Sequence, residues 1–92
     1  MRRLLLENKV ENLKKVVAEE VLKGNFRRVT LTKIVSKRAG VSLQTAEEFL
    51  KNLRKRGILI FSREFVAPTS KGLIYFSSVI QDALEEVGKD GH

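Results

Sequence analysis

Gly40-Val41-Ser42 is the stretch that most restricts what this chain can become. It is all that separates two segments that both read as helix, "LTKIVSKRA" and "LQTAEEFLKNLRKR". A connection this tight makes the two helices meet at a large angle. Each of its residues has a local reason. Gly40 ends the first helix in the left-handed region, where a Cβ would clash. Val41 fills the turn, and Ser42 offers its side-chain oxygen to an early N–H of the next helix. Thr30 is expected to cap the preceding helix in the same way, with Leu31, Ile34 and Val35 facing inward. Gly57 stops the helix that follows Ser42.

The remaining pieces fall around this turn. Leu6, Val10, Leu13, Val17 and Val21 recur at helical spacing and predict a first helix from about Leu4 to Lys23, stopped by Gly24-Asn25. "ILIF" and "EFVA" are β-branched and aromatic runs separated by Ser62-Arg63, which predicts a small hairpin over about 58–67. Pro68 ends its second strand, because it has no N–H for a ladder. Thr69 is expected to cap a last helix over about 70–87, with Leu73, Phe76, Ile80, Ala83 and Val87 as its apolar stripe. The reading is one domain over 1–92, mainly α with a small β-hairpin, in the order helix, helix, helix, hairpin, helix. The paired helices on either side of Gly40-Val41-Ser42 span about 31–56.

Charge is distributed unevenly along this order. The chain carries a net +7, but residues 23–63 hold eleven Lys/Arg against two Glu, and residues 65–92 hold two Lys against four acids. The positive field is therefore central, and it favours a polyanion, since neutralising phosphates releases condensed counterions. The arginines before Leu4-Leu5-Leu6 suggest a signal peptide, but the apolar run stops at Glu7, too short for one. No apolar run is long enough to span a membrane. The expected setting is cytoplasmic. With no cysteine and His92 as the single histidine, the chain offers no thiolate and no internal imidazole. It also lacks a supported acid pair and a Gly-rich phosphate loop, so no enzyme activity, metal, cofactor or small-molecule ligand is expected.

On a helical wheel, the segment after Ser42 divides into two faces. Ala46, Phe49, Leu50 and Leu53 cluster as its buried side, while Gln44, Glu48, Lys51 and Lys55 run down the opposite side with Thr45 and Asn52 along one edge. Gln44 and Asn52 have the amide geometry to pair with adenine, and Glu48 can accept from the cytosine amino group. Ser42 and Thr45 lie where a helix start meets phosphate, and Lys51 and Lys55 suit phosphate contacts. The same residues also have a plain surface reading. Glu47 and Glu48 stand four and three positions before Lys51, good spacing for ion pairs worth a few tenths of a kcal/mol.

The stretch "TLTKIVSKRAGVSLQTAEEFLKNLRKRGIL" followed by "PTSKG" resembles a winged helix–turn–helix domain. The likeness rests on a Thr at the start of the second helix, the Gly-Val-Ser turn, the Leu50/Leu53 pair, Gly57 before the first wing strand, and Thr69-x-x-Gly72 opening the last helix. It covers about Val29 to Phe76 and is most similar to small archaeal and archaeal-virus regulators of the MarR, PadR and ArsR type. The resemblance implies a transcriptional regulator that binds double-stranded DNA as a homodimer, with the third helix in a major groove. It further implies backbone contacts by Lys33 and Arg28 at the second helix, and by Arg63 at the tip of the wing. This wing is shorter than the family's usual one, and Glu64 partly offsets its charge.

The first and last helices have apolar arcs broader than one small core needs. That predicts contact between copies through Leu6, Val10, Leu13, Val17, Phe76, Ile80 and Leu84, against the alternative that the two helices bury each other within one chain. Two further readings of the whole chain stay open. One is a winged-helix RNA-binding protein of the ribosomal type, weakly supported because the possible stacking rings Phe26, Phe61, Phe65 and Tyr75 are expected to be mostly buried. The other is a protein-interaction module that uses the apolar helices and leaves the basic surface idle.

Overall fold

The computed structural model describes the backbone of residues 2–90 and the side chains of residues 9–85. Within them lie α1 (Arg2–Leu22), α2 (Arg28–Ala39), α3 (Leu43–Lys55), strands β1 (Leu59–Ser62) and β2 (Phe65–Pro68), and α4 (Ser70–Asp90). The strands pair antiparallel, Leu59 opposite Pro68 and Ser62 opposite Phe65. This is the mainly helical, winged-helix-like layout expected from the sequence. No helix among the described residues is long and apolar enough to cross a membrane.

The turn between α2 and α3 forms as its residues dictate. Gly40 has φ 68°, and the N–H groups of Gly40 and Val41 both reach the Ser36 carbonyl, the latter at 3.0 Å. Ser36 in turn donates its hydroxyl to the Val41 carbonyl at 2.6 Å. Ser42 Oγ accepts from the Thr45 N–H at 3.1 Å and caps α3. At the other end, Gly57 has φ 76°, with its N–H on the Arg54 carbonyl and the Ile58 N–H on the Leu53 carbonyl. That pair of bonds satisfies two orphan carbonyls, and Leu53 and Ile58 are both buried.

The start of α2 differs from expectation. The helix opens at Arg28, not after Thr30, and its preceding residue Arg27 makes no side-chain cap. The hairpin replaces the cap: the Arg28 N–H donates to the Glu64 carbonyl at 2.8 Å, and the Val66 N–H donates to the Phe26 carbonyl at 2.7 Å. Arg27 thereby bridges Phe65, and the link before α2 becomes a third, one-residue strand beside β2. Thr30 is left exposed in the first turn, while Thr32 is buried and returns its hydroxyl to the Arg28 carbonyl.

Thr69 ties the hairpin to α4. Its hydroxyl accepts from the Gly72 N–H at 2.9 Å and donates to the Gly57 carbonyl at 2.6 Å, while its own N–H bonds the Ile58 carbonyl. Gly72 lies so close to that same Ile58 carbonyl that a Cβ would overlap its oxygen. The Thr-x-x-Gly pattern therefore has a packing cause: a cap and a close backbone approach at one point.

The core runs through every element: Val17 from α1, Leu31 and Val35 from α2, Leu50 and Leu53 from α3, Leu59 and Val66 from the hairpin, and Phe76 from α4. Ile34 is only half-buried, whereas Ala39 at the end of α2 is buried. The broad contact between α1 and α4 corrects part of the predicted interface between copies. Leu13, Val17 and Phe76 are enclosed within their own chain and are not open to a partner. Leu73, expected on the inner stripe of α4, is exposed. Leu6 and Val87 lie outside the residues whose side chains are described.

Candidate nucleic-acid interface

α3 presents two chemically distinct sides. Ala46, Leu50 and Leu53 are buried and Phe49 packs half-buried against them, which anchors the helix on the core. Gln44, Thr45, Glu47, Glu48, Lys51, Asn52, Arg54 and Lys55 are all exposed. The six positions expected to face DNA from this helix therefore share one solvent-facing surface.

Their own contacts refine the expected roles. Ser42 donates its hydroxyl to Thr45 Oγ1 at 2.9 Å while accepting the Thr45 N–H, so its hydrogen-bonding capacity is spent largely inside the cap. Thr45 keeps its own hydroxyl proton for an acceptor outside. Lys51 pairs with Glu47 at 3.2 Å, and Gln44 Nε2 donates to Glu48 at 3.4 Å. The second acid is thus held by an amide, and not by Lys51. Exposed pairs of this kind are worth under about 1 kcal/mol, so a phosphate can displace either acid at little cost. Among the described residues, Asn52 and Lys55 make no side-chain hydrogen bond or ion pair.

Beyond the six expected positions on α3, the cations show three kinds of setting. Lys33 is exposed on α2, and Arg63 is exposed at the tip of the hairpin. Arg63 has φ 56°, the one non-glycine with positive φ among the described residues. Arg28 is half-buried with its guanidinium 5.5 Å from the centre of the Phe61 ring, and Arg54 lies 4.9 Å from the same ring. The start of α2, the end of α3 and β1 meet there, with two guanidinium groups on one half-buried aromatic. Arg27 lies 5.8 Å from the Phe65 ring and Arg56 5.3 Å from that of Tyr75.

Arg38 is different. It reaches Glu19 at 2.7 Å and Glu20 at 2.6 Å, and so clamps α2 to α1. Glu20 is buried, which nothing in the sequence pattern marked, and it also receives Asn25 and Lys23. Burial pushes its carboxyl up, but the Asn25 and Arg38 hydrogen bonds and the Lys23 charge outweigh that and hold it below its ordinary value. Glu19 and Glu20 in turn raise Arg38. Arg38 is therefore a structural cation, not one for a polyanion.

The expectation that the aromatic rings are mostly buried is corrected. Phe26 and Phe65 are exposed, and Phe61 and Tyr75 are half-buried. Strand alternation explains Phe65: Val66 points to the core, so its neighbour points out. The Arg27–Phe65 and Arg28–Phe61 pairings were not legible, because they depend on the link joining the hairpin.

No family model matches the chain, and neither does any curated protein or solved structure.

Proposed function

We propose that this chain is a sequence-reading, double-stranded DNA-binding protein, a transcriptional regulator acting in the cytoplasm as a homodimer with α3 of each copy in a major groove. The observation that carries this reading is the solvent face of α3. Gln44, Thr45, Glu48, Lys51, Asn52 and Lys55 all stand exposed on a helix anchored by Leu50 and Leu53. Gln44 near the start, and Asn52 between Lys51 and Lys55, combine base-edge donors and acceptors with phosphate partners. A surface that only coats a polyanion would not place two glutamates there, whereas a selective one gains from groups that repel the wrong sequence.

Arg63 adds support. A left-handed backbone disfavours any residue with a Cβ by about 1–2 kcal/mol, and glycine would relieve it. An arginine held at that strained tip, exposed to solvent, suits a charge that reaches out to a backbone.

Selection of bound duplexes from a random pool tests the reading, followed by mobility shifts over a salt series with structured RNA as competitor. The expected result is an enriched inverted repeat with half-sites about one helical turn apart. Asn52→Ala is expected to lose about 1–3 kcal/mol on the selected site and to relax one base position, while Lys51→Ala weakens all sequences alike and lowers the salt slope by about one. An unenriched pool, or equal competition by structured RNA, overturns it.

A further inference from the structure

The hairpin has a second face that shares only its tip, Arg63, with the proposed duplex site. Because the link bridges β2, with Arg27 opposite Phe65 and Phe65 opposite Ser62, these three residues lie in one row on one side of the small sheet. Residues opposite one another in antiparallel strands project to the same face, and their sequence neighbours project to the other. The inner row holds Leu59 and Val66, both buried. The outer side carries Ile60, 54% exposed, and Phe65, 44% exposed. The Arg27 guanidinium lies at the Phe65 ring, and the exposed Arg63 stands at the tip beyond Ser62.

A hairpin face turned only to water is ordinarily polar. This one places an aromatic ring and an isoleucine there, flanked by guanidinium groups. Glu64 is the single acid on the link and the two strands with their turn, residues 25–68 excluding α2 and α3. An apolar protein surface would meet these two guanidinium groups unfavourably. A nucleobase meets both features at once, offering a π-face to the ring and guanidinium while its phosphates meet the arginines.

We propose that the outer face of the hairpin, centred on Phe65 and Arg27, is a stacking surface for a single-stranded nucleic-acid segment. It is separate from the α3 surface and stands whether or not that surface reads duplex DNA. Duplex bases are closed to such a ring, because their faces are already stacked. The surface therefore takes an unpaired stretch, at a strand end, a gap or an opened helix.

The test uses the full chain with fluorescent oligo(dT) and oligo(U) of about a dozen nucleotides, read by anisotropy at low and moderate salt. The wild type is expected to bind at least one of them. Phe65→Ser, a change at an exposed position, is expected to weaken that binding about tenfold and to leave duplex binding within about twofold. Asn52→Ala provides the reverse control and is expected to leave oligonucleotide binding unchanged. Circular dichroism melting of Phe65→Ser establishes that it is folded, and Phe65→Trp is expected to restore binding. Absence of oligonucleotide binding at low salt overturns the proposal. So does equal binding by wild type and a folded Phe65→Ser, or an equal loss in Asn52→Ala, since either would mean general charge attraction and not stacking.

Discussion

Arg63 and Glu64 make the whole turn of the hairpin, and Arg63 bears its conformational strain with φ 56°. Glycine at this position would remove the Cβ contact at a modest entropic cost, so Arg63→Gly is expected to raise stability by about 0.5–1 kcal/mol in denaturant unfolding. If the arginine reaches a DNA backbone, the same variant binds duplex several-fold more weakly and with a shallower salt dependence. The two readouts move in opposite directions. A variant that gains stability with unchanged duplex affinity would mean that the tip charge plays no part in binding. Lys51 differs from Arg63 in that its present partner, Glu47, is an exposed acid one helical turn away. Trading that acid for phosphate asks little of the protein.

Helix α1 is joined to α2 by a polar clamp as well as by the core. Glu20 is buried and accepts from Asn25, Arg38 and Lys23, and Arg38 spans to Glu19 as well. Since the folded protein holds the Glu20 carboxyl below its ordinary value, the charged form stabilises the fold. That contribution is complete above the carboxylate's unfolded pKa and disappears as pH falls through the lower folded value. Glu20→Gln is expected to destabilise the protein by about 2 kcal/mol at neutral pH, the scale of hydrogen bonds to a charged group. Its stability is also expected to fall less steeply in acid than that of the wild type. Chemical denaturation over a pH series measures both effects. Parallel losses in the two proteins would move the acid sensitivity away from Glu20. The clamp also explains why a cation in the most basic part of the chain is absent from the candidate interface.

At the scale of the whole molecule, α1 pairs broadly with α4, and Leu13, Val17 and Phe76, three of the apolar residues expected to join two copies, are buried within the chain. What stays outside is a narrower line on α4. Leu73, Ser77 and Leu84 are exposed and, with Ile80 half-buried against the core between them, follow at steps of four, three and four, the spacing of a helix–helix seam. Leu84 is 67% exposed and Ile74, beside this line, 73%. Val10 is exposed on α1. The proposed homodimer therefore rests on the outer side of α4 and not on Leu13, Val17 or Phe76. Leu84→Glu is expected to convert a dimer to monomer in sedimentation equilibrium while changing monomer stability by no more than about 0.5 kcal/mol, as an exposed substitution does. A wild type that sediments as a monomer at high concentration removes the two-fold arrangement, and with it the expectation of an inverted repeat.

Several features followed from the sequence by itself, because their causes are local. Gly40 and Gly57 stop helices through their own backbone freedom, and Ser42 and Thr69 cap helices that begin within three residues of them. The periodicity of α3 was enough to separate Leu50 and Leu53 from Gln44, Lys51 and Lys55. Other features were decided by elements distant in sequence coming together. The hairpin's Glu64 carbonyl begins α2 in place of Thr30, the link turns Arg27 toward Phe65, and α1 and α4 cover part of each other's apolar faces. Local rules state what each backbone group and side chain needs. Tertiary packing decides which of several suitable partners is near enough to satisfy it, and so which cations are left for a ligand.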